Sequence, residues 1–570
     1  MSEQRDEICV DWDVPIRMDD EVELRADVFR PAGEGRYAVL MGCGPYAKGL
    51  HFEDGRPGPW RELCNKHPDV LAGSSHRYAC WEHIDPEKWV PHGYVCIRVD
   101  SRGTGRSPGY VDHWSPRETK DLYDCIEWAG TQPWSNGKVG LTGISYLAMN
   151  QWQVATMQPP HLAAICPWEG VSDHYRDCRR HGGILSTFMM RWFEARIAIA
   201  QYGVGERGAR NRITGKLVCG DETMTEEELV RNRTDLVQEM RDHTLFDEYF
   251  ERLNAELSKI EVPLLSAGNW GGQGMHLRGN CEGFVCASSR QKWLEIHDLE
   301  HWTHFYTDYG RELQKRFFDH FLRGIDNGWD KVAPVILSIR NVDGTKVLRY
   351  EDAWPIFRTH WTKFYLDPAG LALSPELPVW SQSLEYAALE NGATFRIILH
   401  EDTEITGPCA AKLFVASSTN DADLFLTLRV FDLEGREVTF QGANDAHTPM
   451  AHGWLRASHR KLDVGQTKPY QPRHTHDAPE PLQPGTVCEL DVEIWPTSIV
   501  IPRGYTLALT VEGKDYVYDP AQSKTKNWFS STSQHDDPLD RPADVFGGTV
   551  TLYGGGQHPA YLLLPIVPAV

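Results

Sequence analysis

Short apolar runs alternate with helix-compatible segments between residues 37 and 322, a pattern typical of a parallel α/β sheet. The runs that predict buried strands are residues 37–41, 93–100, 139–141, 162–166, 262–270 and 292–297. After the second run, Ser115-Pro116-Arg117-Glu118 predicts a helix start, with Ser115 as N-cap and Glu118 closing a capping box. Because helices link the strands, we expect parallel pairing with right-handed crossovers.

Two further regions have other patterns. Residues 173–258 are helical and charged, and we interpret them as a helical cap inserted over the sheet. Beyond residue 353, segments such as 423–431 and 490–495 alternate polar and apolar residues, with turn residues at short spacing. The predicted domains are an α/β core (1–172 and 259–352), a cap (173–258) and an all-β jelly roll (353–570).

Composition narrows the classes of partner. The chain has 570 residues and a net charge of −22, so it lacks the basic surplus that neutralises nucleic-acid phosphates. No stretch approaches about 18 consecutive apolar residues, and the N-terminus has no apolar signal region. The thirteen cysteines are scattered, as expected of reduced, mostly buried thiols. We therefore predict a cytoplasmic protein with no membrane or nucleic-acid partner.

The strongest candidate for chemistry is Gly143-Ile144-Ser145-Tyr146-Leu147. An apolar strand, a sharp turn and a helix-compatible segment together predict a nucleophile elbow, which lifts the Ser145 hydroxyl above the sheet. At the helix N-terminus, backbone N–H groups can face a developing oxyanion. The second glycine of such turns is absent, because Leu147 stands two residues after the serine.

Several other side chains are candidates for the same pocket. Tyr46 follows the 37–41 strand, where a hydrolase sheet supplies half of its oxyanion hole, although the residue alone favours a tyrosine packed beside a turn. Apolar pocket walls are expected from five large side chains, for which a place in the core is the alternative: Trp168, Phe188, Met189, Trp192 and Trp270.

Further motifs occur in a fixed order along the chain. They are Pro45-Tyr46, Asp100-Ser101-Arg102-Gly103-Thr104-Gly105-Arg106-Ser107, Gln132-Pro133-Trp134-Ser135-Asn136-Gly137, Gly143-Ile144-Ser145-Tyr146-Leu147, Phe318-Asp319-His320-Phe321-Leu322 and Gly453-Trp454-Leu455-Arg456-Ala457-Ser458. In this combination the chain resembles the cocaine esterase and X-Pro dipeptidyl-peptidase family of α/β-hydrolases. The resemblance implies a hydrolase core, a helical cap, a C-terminal jelly roll of the galactose-binding type, and Ser-His-Asp hydrolysis of esters or amides.

Carried over by position, the resemblance makes Ser145 the nucleophile. It makes the Tyr146 N–H and the Tyr46 hydroxyl the oxyanion donors. The base is expected after the last core strand, at His301 in Asp298-Leu299-Glu300-His301-Trp302. His297, within the strand, and His304, further along the loop, are its rivals.

The triad acid is where the chain departs from the family. The family aspartate falls on Gly271 or Gly272, so another carboxylate must orient the histidine. We hypothesise that Glu169, after the 162–166 strand, is the relocated acid and that the two glycines leave room for it. The alternatives are that Glu169 lines the pocket or pairs with an arginine such as Arg176, with the acid at Asp173 or Glu300, or a Ser-His dyad without one.

These residues favour a serine esterase that forms an acyl-enzyme with a small, apolar or aromatic substrate. An amidase, acylase or X-Pro dipeptidyl-peptidase is the first alternative, and a decayed hydrolase that only binds a ligand is the second. No cofactor or metal is expected. His474-Thr475-His476-Asp477 is the best metal-like cluster, but its proline-rich surroundings predict a solvated loop. A homo-oligomer is left open.

Overall fold

The structure is a computed structural model, and it describes residues 2–5, 8–518, 530, 532 and 534–568, with side chains from residue 8 onward. Within these ranges, no helix is both long and apolar enough to cross a bilayer. All thirteen cysteines fall in the described ranges and are free thiols, most of them buried, in agreement with the sequence analysis.

Residues 2–351 contribute an 11-stranded mixed sheet whose strand order is β1-β2-β3-β5-β4-β6-β7-β10-β11-β12-β13. Strands are numbered in chain order: β1 (Ser2–Arg5), β2 (Ile8–Arg17), β3 (Glu23–Pro31), β4 (Tyr37–Gly44), β5 (Tyr94–Asp100), β6 (Ser135–Ile144), β7 (Leu162–Trp168), a two-stranded hairpin β8 (Arg180–His181) and β9 (Ile184–Leu185), then β10 (Leu264–Asn269), β11 (Lys292–His297), β12 (Val335–Arg340) and β13 (Lys346–Glu351). From β5 to β12 all neighbours are parallel, as predicted.

Helices cover both faces of this sheet. In chain order they are α1 (Phe52–Gly55), α2 (Pro57–Lys66), α3 (Pro86–Trp89), α4 (Pro116–Gly130), α5 (Tyr146–Ala155), α6 (Phe188–Trp192), α7 (Glu226–Arg231), α8 (Leu236–Asp242), α9 (Glu248–Leu253), α10 (Leu277–Cys286), α11 (Thr303–Tyr306) and α12 (Asp308–Arg323). The central parallel strands are largely apolar because successive residues point to opposite faces and both faces are covered. Leu40 packs on the α12 side with Phe318, whereas Val39 packs on the α4 side with Ile126.

Helix α4 begins as predicted but is capped differently. The Ser115 hydroxyl accepts from the Glu118 backbone N–H at 3.3 Å. The Glu118 carboxylate does not reach back to the Ser115 amide. Instead it accepts from the Trp114 N–H and the Tyr146 hydroxyl, both at 2.6 Å. The predicted capping box is therefore wrong, because this carboxylate is tied to the helix that carries the candidate nucleophile.

The segment between β7 and β10 lies over the carboxyl edge of the sheet. It holds α6 to α9, the β8–β9 hairpin and two π-helical turns, His174–Arg179 and Phe193–Ile197. Its helices are too short for a regular helical bundle, since none of α6 to α9 exceeds seven residues, whereas α4 has 15. The segment instead packs as one apolar cluster with Tyr46 and the start of α5.

The remaining described residues form a second, all-β unit. Its strands are β14 (His360–Asp367), β15 (Ala372–Ser374), β16 (Gln382–Ala387), β17 (Ala393–Ile398), β18 (Thr403–Ser417), β19 (Asp423–Phe431), β20 (Glu437–Val438), β21 (Ala451–Arg456), β22 (Cys488–Ile501), β23 (Thr506–Glu512), β24 (Thr549–Gly554) and β25 (Tyr561–Val567). One short helix, α13 (Ala543–Phe546), accompanies them. Because β25 pairs with both β14 and β18, the sheet closes on itself around an apolar core.

The two units share an extensive polar and aromatic contact. The Arg176 guanidinium, in the segment between β7 and β10, donates to the His474 carbonyl at 2.8 Å, and the ring centroids of Tyr175 and His476 lie 4.8 Å apart. His474 and His476 are both buried. The expectation of a solvated loop at this cluster is wrong, since the segment is pressed between the cap and the β unit.

Candidate active site

Ser145 occupies the turn between β6 and α5, with a φ of 56° and a ψ of −113°. A non-glycine residue in this region is strained, and the strain holds the hydroxyl clear of both elements. Gly143 is required because a Cβ there would lie 2.5 Å from the Leu147 Cβ.

The missing second glycine has a structural explanation. The Leu147 side chain sits against two glycines of β4, Gly42 and Gly44, where an added Cβ would lie 3.0 and 2.5 Å from its methyl groups. The space that a glycine in the elbow helix would provide is thus provided by the neighbouring strand. The turn keeps its shape although its local sequence differs from the usual motif.

Glu169 follows β7 and is fully buried. Its Oε2 lies 2.8 Å from His301 Nδ1, and its Oε1 lies 3.1 Å from His297 Nε2 and 3.2 Å from the Asn269 amide. Burial acts to raise the pKa of Glu169, but the charge of His301 and the hydrogen bonds from both histidines outweigh it, so the pKa is lowered. The carboxylate is therefore ionised and holds two rings in place.

The Ser145 hydroxyl contacts a histidine that the sequence analysis missed. Its Oγ lies 3.3 Å from His276 Nε2, and this is the ring contact that the structure gives the serine. The His276 ring stacks on His301, with centroids 4.9 Å apart and planes 8° apart. His276 Nδ1 lies 3.9 Å from Glu169 Oε2, and His301 Nε2 lies 3.5 Å from Glu82 Oε1. In a catalytic triad one histidine contacts both the serine and the acid. Here His276 contacts Ser145, whereas His301 contacts Glu169.

The His276 and His301 rings differ in charge at neutral pH. Burial lowers the pKa of His301, but Glu169 and Glu82 reverse the effect and raise it to about 10. Burial and the neighbouring His301 charge lower the pKa of His276 to about 3. At neutral pH, His276 is therefore the neutral ring, able to accept a proton, and His301 is the imidazolium.

Two donors are placed for an oxyanion. The Tyr146 N–H is the first amide of α5 and so has no carbonyl of the same helix to bond. The Tyr46 hydroxyl borders the same cavity and accepts a hydrogen bond from Trp192 Nε1 at 3.2 Å. Burial, and then the Glu82 charge, raise the pKa of Tyr46 well above its usual value, so the phenol stays a donor.

These groups open into a cavity of about 300 Å³. Of the predicted pocket residues, Phe188, Met189 and Trp192 line it. Trp168 and Trp270 do not, and their prediction as pocket walls is wrong. Trp168 stacks on His297 beneath the site, and Trp270 donates from its indole to the Ser338 carbonyl near the second unit.

The rival residues are engaged elsewhere. Asp173 forms an ion pair with Arg176 at 2.7 Å, and Glu300 forms one with Lys66 at 2.8 Å. His304 lies 3.5 Å from Asp298, and its expected place in the pocket wall is not observed. Arg176 therefore pairs with Asp173 and not with Glu169.

The two glycines after β10 do not make room for Glu169, contrary to the hypothesis. A Cβ on Gly271 would lie 2.4 Å from the Gly442 Cα of the second unit. The His301 N–H donates to the Ala443 carbonyl at 3.0 Å, and Asn444 reaches the cavity wall. A loop of the β unit thus fixes both the glycine turn and the His301 backbone, which explains why no side chain is tolerated at Gly271.

Further cavity residues escaped the sequence analysis. They include Arg56, Trp81, Glu82, Trp114, Met149, Met275, His276 and Asn444. His276 ends the loop after β10, where this fold commonly places its acid, and that position was the one available signal. Within the described ranges, Glu169, His276 and His301 are also the set whose ligand atoms come close enough, within 4.8 Å, to hold a metal ion.

Comparison with known proteins identifies the family. Residues 20–306 match the X-Pro dipeptidyl-peptidase (S15 family) and residues 327–563 its C-terminal non-catalytic domain. The chain belongs to the X-Pro dipeptidyl-peptidase family. This confirms the family predicted from the sequence, and with it an α/β-hydrolase core followed by an all-β domain.

Similar proteins and solved structures match nearly the whole chain. The cocaine esterase of Rhodococcus sp. (strain MB1 Bresler) is 23% identical over 635 residues, covering 97% of this chain and 98% of that protein. A crystal structure of a CocE/NonD family hydrolase from Staphylococcus aureus is 31% identical, with a TM-score of 0.86, covering 99% of this chain and 94% of that one. An aminopeptidase from a marine sediment Thaumarchaeota archaeon, 15% identical with a TM-score of 0.69 and coverage of 98% and 97%, shares the fold.

Proposed function

We propose that the protein is a serine hydrolase that cleaves a small carboxylic ester through an acyl-enzyme. The observation that carries the proposal is the strained Ser145 with its hydroxyl 3.3 Å from a neutral imidazole, at the floor of a largely apolar cavity. The similarity to a cocaine esterase over nearly the full length of both chains supports ester substrates.

The mechanism follows from the contacts around Ser145. His276 accepts the hydroxyl proton as Oγ attacks the substrate carbonyl, and the Tyr146 N–H and Tyr46 hydroxyl hold the oxyanion. His301, paired with Glu169, supplies positive charge and orients the neighbouring ring. The protonated His276 then gives its proton to the leaving alcohol, and water releases the acyl group by the reverse route. This assignment moves the acceptor role from His301 to His276.

Amide hydrolysis is the second candidate, and Glu82 favours it. This buried carboxylate lines the cavity, where it could pair with the free ammonium group of a peptide. The family description supports the same reading. Comparing a 4-nitrophenyl ester with an X-Pro 4-nitroanilide in one preparation separates the two activities. Faster ester turnover supports the proposal, and faster anilide turnover supports the peptidase.

A protein that only binds ligands is tested by covalent labelling. We expect a fluorophosphonate probe to label wild-type protein at Ser145 and to leave the Ser145→Ala variant unlabelled. Absence of labelling in folded wild-type protein would favour the decayed hydrolase.

We also propose the domain division used above, with a core of 1–172 and 259–352, a cap of 173–258 and a jelly roll of the galactose-binding type at 353–570. It is supported by β13, which ends the first sheet at Glu351, and by β14, which opens the second sheet at His360. Expression of residues 353–570 alone as a folded, cooperatively melting unit is the test.

A further inference from the structure

A second cavity lies directly beside the catalytic one. It measures about 530 Å³ and shares three lining residues with the catalytic cavity, Tyr46, Arg56 and Arg196. Much of its remaining wall is small and apolar, including Leu50, Ala198, Ala200, Val204, Val218 and Leu229. A substrate arm that passes Tyr46 would therefore enter a space at least as large as the one around Ser145.

Arg56 stands at the boundary between the two cavities and has no anionic partner. Its side chain is 7% exposed, and it precedes α2. The guanidinium donates to the Gly55 carbonyl at 2.7 Å and lies 5.2 Å from the Trp81 ring centroid and 6.0 Å from that of Tyr46. Among the described residues Arg56 forms no ion pair within 4.0 Å, because Glu53 and Asp54 beside it pair with Arg212; the Glu82 carboxylate acts on it only as a more distant charge. Burial, and then the charge of Arg196, lower the pKa of Arg56 to about 10, which leaves it charged at neutral pH.

The carboxylates that face the second cavity are already neutralised. Asp54 forms an ion pair with Arg212 at 2.5 Å, and Glu226 forms one with Arg207 at 3.4 Å. On the catalytic side, Glu82 is turned toward His301. A buried guanidinium without a counter-ion is costly, so a cavity that keeps one is suited to a ligand that brings the counter-charge.

The lining of the second cavity has an excess of positive charge, although the whole chain is negatively charged. The chain carries a net charge of −22, yet four arginines line the second cavity against two carboxylates: Arg56, Arg196, Arg207 and Arg233, with Asp54 and Glu226. Because the overall field repels anions, any preference for an anionic ligand must come from this local concentration.

We propose that the second cavity binds an anionic arm of the ester substrate, with a carboxylate paired to Arg56. The inference rests on the proposed esterase function and names its substrate class, namely esters with a negatively charged group on one arm. The planar guanidinium suits a carboxylate, which it can bind through two parallel hydrogen bonds. The apolar wall formed by Phe188, Met189 and Trp192 remains available to the other arm.

The test uses pairs of esters matched in length. One member is the 4-nitrophenyl half-ester of a linear dicarboxylic acid, and the other is the 4-nitrophenyl ester of the monocarboxylic acid with the same number of carbons. A series from four to eight carbons varies the separation between the ester group and the carboxylate. At the best length we expect wild-type kcat/KM to favour the anionic ester by about 10- to 100-fold, mainly through a lower KM.

Variants at Arg56 then locate the cause. In Arg56→Gln we expect the anionic-to-neutral ratio of kcat/KM to fall by about tenfold or more, and in Arg56→Lys to fall less, because a point charge remains. Arg61→Gln is the matched control. It removes the same charge from an exposed arginine of α2 whose contact is the Pro57 carbonyl, and its ratio should equal the wild-type ratio.

Each outcome bears on the inference. If wild-type protein prefers the neutral ester at every length, or if Arg56→Gln and Arg56→Lys keep the wild-type ratio, the anionic subsite is wrong while the esterase proposal stands. If folded wild-type protein hydrolyses neither member of any pair, the esterase proposal fails and this inference fails with it. Thermal melting of each variant identifies loss of folding, and Arg56→Lys supplies the ratio if Arg56→Gln does not fold.

Discussion

Two groups of buried histidines in this molecule are similarly buried but differ in the pKa values of their rings and in the charges around them. One group, His276, His297 and His301, surrounds Glu169 beside the catalytic cavity. The other, His459, His474 and His476, lies where the cap meets the β unit. In the second group, burial and neighbouring arginines lower the pKa values, to about 4 for His459 and about 3 for His474.

The difference between the groups lies in their counter-charges. Around Glu169, burial would also lower the histidine pKa values, but carboxylates raise that of His297 to about 9 and that of His301 to about 10. His276 is the exception, because its nearest carboxylate oxygen is 3.9 Å away and a charged ring is stacked on it. A neutral imidazole next to an imidazolium and a serine suits the proposed proton transfer. In the second group burial and arginine charges outweigh the distant Asp423 and Asp540, so its rings stay neutral and contribute to packing.

The largest effect in this comparison should follow from loss of the proposed nucleophile, Ser145. We expect Ser145→Ala to lower kcat for the best ester by about 10⁵-fold or more. The thermal midpoint should change little, because the hydroxyl contributes one ring contact to the fold. Steady-state assays together with thermal melting measure both. Residual turnover within about a hundredfold of wild type would show that another group performs the attack.

Loss of the Glu169 charge should come next. Glu169→Gln keeps the size of the side chain but removes the carboxylate that holds His297 and His301 and lies 3.9 Å from His276. Because all three rings are disturbed at once, we expect kcat to fall by about 10⁴-fold. Glu300→Gln is the matched control, since Glu300 pairs with Lys66 away from the cavity and its loss should leave kcat near wild type. Equal effects of the two changes would contradict a special role for Glu169.

The two stacked rings can be separated by paired substitutions. Because His276 contacts Ser145, we expect His276→Gln to lower kcat by about 10³-fold or more and His301→Gln to lower it by about 10- to 100-fold. His304→Gln, outside the cavity wall, controls for loss of a histidine. If His301→Gln proves the more damaging and His276→Gln retains most activity, the proton acceptor is His301, as the sequence analysis proposed.

The pH profile gives an independent test of the same assignment. A general base works only when unprotonated, so kcat/KM falls as pH drops through its pKa. With His276 as base, and its pKa lowered to about 3, kcat/KM should be nearly constant between pH 5 and 8. With His301 as base, and its pKa raised to about 10, kcat/KM should rise about tenfold per pH unit across that range. A stable substrate and a pH series of initial rates distinguish the two.

The sequence predicted those site residues whose position is set by neighbouring residues in the chain, and missed those that are positioned by distant segments. The strand, turn and helix around Ser145 are adjacent in the chain, and Glu169 follows from its position after the next strand. His276 could not be derived this way, because the loop that carries it is held by Gly442 and Ala443 of the β unit. Strand periodicity likewise could not show that Trp168 faces His297 rather than the cavity.

The same limit explains the opposite error at His474. Its surroundings are rich in proline and polar residues, which predict a loop but not what covers the loop. The Arg176 contact from the cap, about three hundred residues earlier in the chain, buries it. Sequence patterns thus singled out some members of each histidine group, His297 and His301 in one and His474 and His476 in the other, but the contacts that distinguish the two groups join distant parts of the chain.

The smallest effect on activity should come from the second group, where we expect a change in stability instead. His474→Gln should leave kcat within about twofold of wild type, because His474 does not line the catalytic cavity and sites without shared contacts act nearly independently. The pKa of His474 is lowered in the fold, to about 3, below the usual value of 6.5, so the unfolded chain binds the proton first. This histidine therefore adds stability above pH 6.5 that is lost as the pH falls toward 3.

Between pH 6.5 and 5.5, the unfolding free energy of His474→Gln should fall by about 1 kcal/mol less than that of wild type. Denaturant titrations at the two pH values measure the difference, with His400→Gln, at an exposed position, as the control. Identical pH dependence in wild type and His474→Gln would mean that the ring is not held neutral by burial, and the contrast between the two histidine groups would then disappear.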